Sequence, residues 1–60
     1  MTPKDLRDAR EKMGLTQAGL ATLLELGKHG GRTVRRWEAG EYPVPGMVAL
    51  LLKVWARKGR

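Results

Sequence analysis

The sequence predicts an all-α domain of four or five helices, and three observations predict it. Apolar residues recur at helical spacing, with Leu6, Ala9 and Met13 in one run and Leu20, Ala21 and Leu24 in the next. Residues that start helices stand before those runs, Thr2-Pro3 and Thr16. Glycines that stop them follow at Gly14, Gly27 and Gly40. Sixty residues make one domain at most, expected to span 1–60 and close to the lower size limit for folding alone. The chain has no cysteine, so neither a disulfide nor a thiolate metal site can staple it. Its core, or a partner chain, must supply the stability.

In the first helix Thr2 serves as N-cap, Pro3 takes the first helical position and Asp5 lies near the positive end of the dipole. Leu6, Ala9, Arg10 and Met13 fall at i, i+3, i+4 and i+7 and share one face. An arginine on that otherwise apolar face needs a partner. Gly14 ends the helix as a left-handed cap. Thr16 caps the second helix, Leu15 and Leu20 can form a hydrophobic staple, and Ala21 suits a close crossing of two helices. Leu26 and Gly27 are expected to end it, followed by an exposed turn, Lys28-His29-Gly30-Gly31. A third helix is expected from about Arg32 to Ala39, capped by Gly40, with Val34 and Trp37 facing the core. Pro43 and Pro45 keep the following linker out of a helix, and Pro45 is placed to start a fourth that runs to about Lys58.

Charge is unevenly spread. Residues 1–30 hold five Lys/Arg and four Asp/Glu, a net of +1, while residues 31–60 hold seven and two, a net of +5. Such an excess gives sequence-independent affinity for phosphates and speeds encounter with polyanions. Its densest part is Arg32-Thr33-Val34-Arg35-Arg36, at the front of the third helix. With Val34 and Trp37 turned inward, Arg32, Thr33, Arg35 and Arg36 are left toward solvent or a ligand. A charge run is often only a solvated face. Here it follows a polar helix start, an apolar stripe and a turn, which is the layout needed to read a DNA major groove, where a guanidinium matches guanine O6 and N7 bidentately. His29 is the lone histidine, with no clustered carboxylates around it, so no metal site, cofactor or catalysis is expected.

Leu15-Thr16-Gln17, the pair Leu20-Ala21 and the ending Trp37-Glu38-Ala39-Gly40 give the chain a family frame. It resembles the Cro and lambda-repressor type of helix-turn-helix, the XRE family, over roughly residues 4–57. The resemblance implies a Cro/repressor-like domain that binds double-stranded DNA as a homodimer on an inverted repeat. Base-reading positions map onto Gly31, Arg32 and Arg36, with Thr33 and Arg35 on backbone or flanking bases. Gln17, beside Thr16, matches a phosphate clamp at a helix start, and Lys28 joins the DNA-binding set from the turn. Arg10 and Glu38 match a partly buried structural ion pair. From Thr16 to Trp37 the chain is about three residues longer than usual for the family. The extra residues either lengthen the second helix through Glu25-Leu26 or enlarge the turn at Lys28-His29-Gly30-Gly31.

The fourth helix carries more apolar residues than one core can take. Val48, Leu51, Leu52 and Trp55 fit a core stripe, which leaves Met47, Leu50 and Val54 on another side as an expected dimer interface. The function expected is a cytoplasmic transcriptional repressor, phage-type or the autoregulator of a small operon such as an anti-CRISPR-associated one, with no small-molecule effector. Two other classes compete: an antitoxin-type interaction module that also binds its operator, and a membrane-surface peptide built on the basic end Arg57-Lys58-Gly59-Arg60. The Trp-Glu-x-Gly frame argues against the second, and no membrane partner is expected.

Overall fold

Four α-helices make up the described residues, 1–57, of the computed structural model: α1 (Pro3–Lys12), α2 (Gln17–Leu23), α3 (Gly30–Glu38) and α4 (Gly46–Arg57). The fold is all-α. At the start of α1 the Thr2 hydroxyl accepts the Asp5 backbone N–H at 3.1 Å and the Asp5 carboxylate accepts the Thr2 N–H at 3.3 Å. This reciprocal capping box leaves two fewer orphan donors and holds the Asp5 carboxyl below its ordinary pKa. Thr16 caps α2 through the Gly19 N–H at 2.9 Å.

One core joins all four elements. Leu6 of α1, Leu20 and Ala21 of α2, Val34 and Trp37 of α3, and Val48 and Leu52 of α4 are buried together. Ala9, Met13, Leu15, Leu24, Leu26, Val44 and Trp55 close around them. The helix α2 packs on α3, and α1 bridges α3 and α4.

The first three helices end in the same hydrogen-bond pattern, a Schellman motif. After α1, Leu15 N–H reaches the Arg10 carbonyl at 3.2 Å and Gly14 N–H the Glu11 carbonyl at 2.9 Å. After α3, Glu41 N–H reaches Arg36 at 3.0 Å and Gly40 N–H reaches Trp37 at 3.1 Å. After α2, Leu26 N–H reaches Ala21 at 3.0 Å and Glu25 N–H reaches Thr22 at 3.0 Å. The motif requires a left-handed residue, which is Gly14 (φ 74°) and Gly40 (φ 80°) in two cases but Glu25 (φ 55°) in the third.

That third case corrects the sequence expectation. The second helix stops at Leu23, not at Leu26-Gly27, because the left-handed turn falls on a glutamate, while Gly27 (φ 85°) shapes the loop beyond it. The third helix begins at Gly30, two residues ahead of Arg32, so Gly30 and Gly31 form its first turn and not the preceding loop. Residues 24–29 therefore connect α2 to α3: the second helix is not lengthened through Glu25-Leu26, and of the expected turn Lys28-His29 lie in the connection while Gly30-Gly31 belong to α3. Glycine at position 30 has a steric reason. A Cβ there would sit 2.7 Å from Leu26 Cβ and 2.8 Å from Ala21 Cβ, closer than real carbon contacts come. The fourth helix starts at Gly46, with the Pro45 carbonyl accepting the Ala49 N–H at 3.0 Å. Its expected end at Lys58 lies outside the described residues.

Candidate nucleic-acid interface

The arginine on the inner face of α1 is matched by a carboxylate from α3. Arg10 Nε donates to Glu38 Oε2 at 2.7 Å and Nη2 to Glu38 Oε1 at 3.2 Å, a bidentate pair, while Nη1 donates to the Leu15 carbonyl at 2.9 Å. The two side chains are 12% and 7% exposed. Hydrogen bonding to Glu38 holds the Arg10 pKa above its ordinary value, against the pull of burial. Gln17, at the start of α2, donates its side-chain N–H to the same Glu38 Oε1 at 3.2 Å. One carboxylate therefore fixes the C-terminal end of α3 to α1 and to the first turn of α2. The amide of Gln17 keeps one further N–H and its carbonyl oxygen for anything outside.

Beside this bracket, Gln17, Ala18, Gly31, Arg32 and Arg35 line an open groove of about 290 Å³ between the start of α2 and the front of α3. Its floor is low because position 31 has no side chain, with Ala18 Cα 3.7 Å from where a Cβ would stand. Arg32 and Arg35 are exposed, and among the described residues neither has a carboxylate within ion-pair distance. Glu38, the lone acid of α3, is neutralised from within by Arg10. The outer side of α3 thus presents uncompensated guanidinium groups along a shallow channel whose wall is another helix's N-terminal turn.

The remaining sequence-derived positions divide. Arg36 does not line the groove, because its side chain turns toward the residues after α3, with Nε 4.0 Å from Glu41 Oε1 and the guanidinium carbon 5.7 Å from the Tyr42 ring centroid. Thr33 spends its hydroxyl on the His29 carbonyl at 3.4 Å, and Thr16 spends its own on capping α2. Lys28 is exposed in the loop before α3. Sequence reasoning passed over Ala18 and Tyr42. A small residue beside Gln17 and an aromatic just past a glycine-terminated helix were the available signals.

On α4, Met47, Leu50 and Val54 are 71%, 58% and 41% exposed, while Val48 and Leu52 of the same helix lie in the core. Among the described residues no group of three or more His, Asp or Glu side chains could hold a metal ion, and no helix is long and apolar enough to cross a membrane.

Two known proteins share part of this sequence. Over 44 residues the chain is 41% identical to the transcriptional repressor protein KorC of Escherichia coli, which covers 73% of the chain and 52% of KorC. Over 36 residues it is 47% identical to the type II methyltransferase M.SsoII of Shigella sonnei, covering 60% of the chain and 10% of the methyltransferase. The chain therefore spans about half the length of the first relative and a tenth of the second. Neither a known family's sequence profile nor a solved structure matches it.

Proposed function

We propose that the chain is a sequence-specific DNA-binding domain of the Cro and lambda-repressor (XRE) type, serving a cytoplasmic transcriptional repressor that acts as a homodimer on an inverted-repeat operator. The groove of Gln17, Gly31, Arg32 and Arg35 carries this reading. A helix that displays free guanidinium groups on its outer side fits a major groove, and the N-terminal turn of α2 beside it suits a phosphate. The similarity to KorC supports repression. A stretch that makes up a tenth of a methyltransferase and half of a repressor supports a portable binding module, and the reading assigns no catalysis, metal, cofactor or small-molecule effector.

The homodimer rests on size and on α4. With extents of 27 × 21 × 18 Å, the described residues are shorter than a DNA turn of about 34 Å and suit a single half-site. Pairing through Met47, Leu50 and Val54 hides an apolar stripe that one copy leaves open and sets two α3 helices on the same DNA face.

The test is protection mapping on the DNA upstream of the chain's own operon, where autoregulation places the operator, followed by titration of the protected duplex. Arg36→Ala should weaken binding by about 1–3 kcal/mol and relax preference at one base pair per half-site. Leu50→Glu should give a folded monomer that keeps only weak, salt-sensitive DNA binding. A wild-type protein that protects no duplex removes the reading. The exposed α4 stripe also favours an antitoxin-type module that seats a second protein, and co-purification of a neighbour-encoded protein with wild type but not with Leu50→Glu selects that alternative.

A further inference from the structure

The three outward arginines of α3 are not equivalent. Arg32 and Arg35 have no aromatic or acidic partner among the described residues, and each is free to follow whatever phosphate or base comes within reach. Arg36 is bracketed instead. The Schellman motif after α3 sets Gly40 left-handed and brings the Glu41 N–H to within 3.0 Å of the Arg36 carbonyl, so the chain folds back over the last turn of the helix. That reversal delivers two side chains onto one guanidinium. Glu41 stands 4.0 Å from its Nε, and the face of Tyr42 stands 5.7 Å from its central carbon. An arginine has many rotamers of similar energy, and an aromatic face within about 6 Å favours those that lie over it.

We propose that Tyr42 is a positioning residue for Arg36: its ring fixes the direction in which the guanidinium leaves α3 and so sets the base preference at the position Arg36 meets. The inference rests on the DNA-reading function proposed above. Each contact alone contributes little affinity at an exposed site. Their effect lies in direction. An unguided arginine accepts a phosphate as readily as a guanine edge, whereas a bidentate pairing with guanine O6 and N7 demands one orientation. Tyr42 is itself half-exposed in the turn, outside the core, so its replacement leaves the packing of α1 to α4 intact.

Selection of binding duplexes from a random-sequence library, run with wild type, Arg36→Ala, Tyr42→Leu and Tyr42→Phe, tests this. Helical circular dichroism confirms each variant's fold. Tyr42→Leu should lose preference at the same base pair per half-site that Arg36→Ala loses, with affinity for the wild-type site down about two- to fivefold. Tyr42→Phe keeps the aromatic face and should retain both preference and affinity. Tyr42→Leu with an unaltered preference, or with losses at positions that Arg36→Ala leaves intact, overturns the proposal. So does a Phe variant that behaves as Leu does, since the ring would then not be the cause. If wild type enriches no sequence at all, the DNA-reading function fails first, and the proposal falls with it.

Discussion

The two ends of α3 are held by different physics. At its front, Gly30 lies against Ala21 and Leu26 with no room for a methyl group, so the helix is positioned by backbone approach. At its rear, Glu38 is held by Arg10 and Gln17 through charge-assisted hydrogen bonds, so it is positioned by polar geometry. The front can be loosened by adding one carbon atom. The rear can be loosened only by stranding a charge. Between these two fixed points stand Arg32 and Arg35, whose backbone is set at both ends while their side chains stay free.

The largest expected effect comes from the rear. Arg10→Met leaves the nearly buried Glu38 carboxylate with Gln17 as its remaining side-chain partner, at a cost of roughly 3–5 kcal/mol, because an unpaired buried charge loses its hydration without recompense. Glu38→Leu added to Arg10→Met should recover much of that loss, since an apolar pair of similar volume fills the same space. Denaturant unfolding at fixed protein concentration measures both. Additive losses in the double variant would show that the rear is not held by the pair.

At the front, Gly30→Ala should cost about 1–3 kcal/mol, the usual penalty of forcing a group into packed space. The obstructing atoms are Cβ carbons, which cannot swing aside as the tip of a long side chain can. Gly31→Ala is the internal control. Its Cβ would meet only Ala18 at ordinary contact distance, so it should fold as well as wild type or gain up to about 1 kcal/mol of helix propensity. Equal losses at the two positions would mean that α2 and α3 do not approach as closely as described.

Much of this arrangement was legible in the sequence, and the exceptions have physical causes. Caps at Thr2 and Thr16, the core positions Leu6, Leu20, Val34 and Trp37, and the exposed side of α4 follow from spacing and residue type, which local rules govern. The end of α2 was not legible, because a left-handed helix end is expected at glycine and the Schellman bonds here close around Glu25 instead. Likewise the start of α3 looked like loop from its two glycines, although one of them is a packing requirement against a residue nine positions earlier. At the site, Arg32 and Arg35 could be placed outward by elimination once Val34 and Trp37 were turned inward. The bracketing of Arg36 could not, since it depends on how the chain reverses after Gly40.

The smallest effects sharpen the comparison most, because the ends of α2 and α3 share one motif and differ in its left-handed residue. At Gly40, a Cβ would meet only Pro3 Cγ at 3.6 Å, so Gly40→Ala carries no clash, and its cost is the left-handed backbone, about 1–2 kcal/mol, offset in part by about 0.4–1 kcal/mol of unfolded-chain entropy that alanine removes. Glu25 already bears that cost. Glu25→Gly should therefore remove about 1–2 kcal/mol of strain while adding about 0.5–1 kcal/mol of unfolded-chain entropy, for a net gain centred near about 0.7 kcal/mol and at most about 1.5 kcal/mol. In a domain this small, that gain corresponds to a rise in Tm of a few degrees, on a scale of about 4–8 °C per kcal/mol. The midpoint of denaturant unfolding should move up for Glu25→Gly and down for Gly40→Ala, with the slope unchanged in both. A fall for Glu25→Gly would place the glutamate side chain in a stabilising role that outweighs its backbone, and the lead-in to α3 would then be held by more than the contact of Gly30 with Ala21.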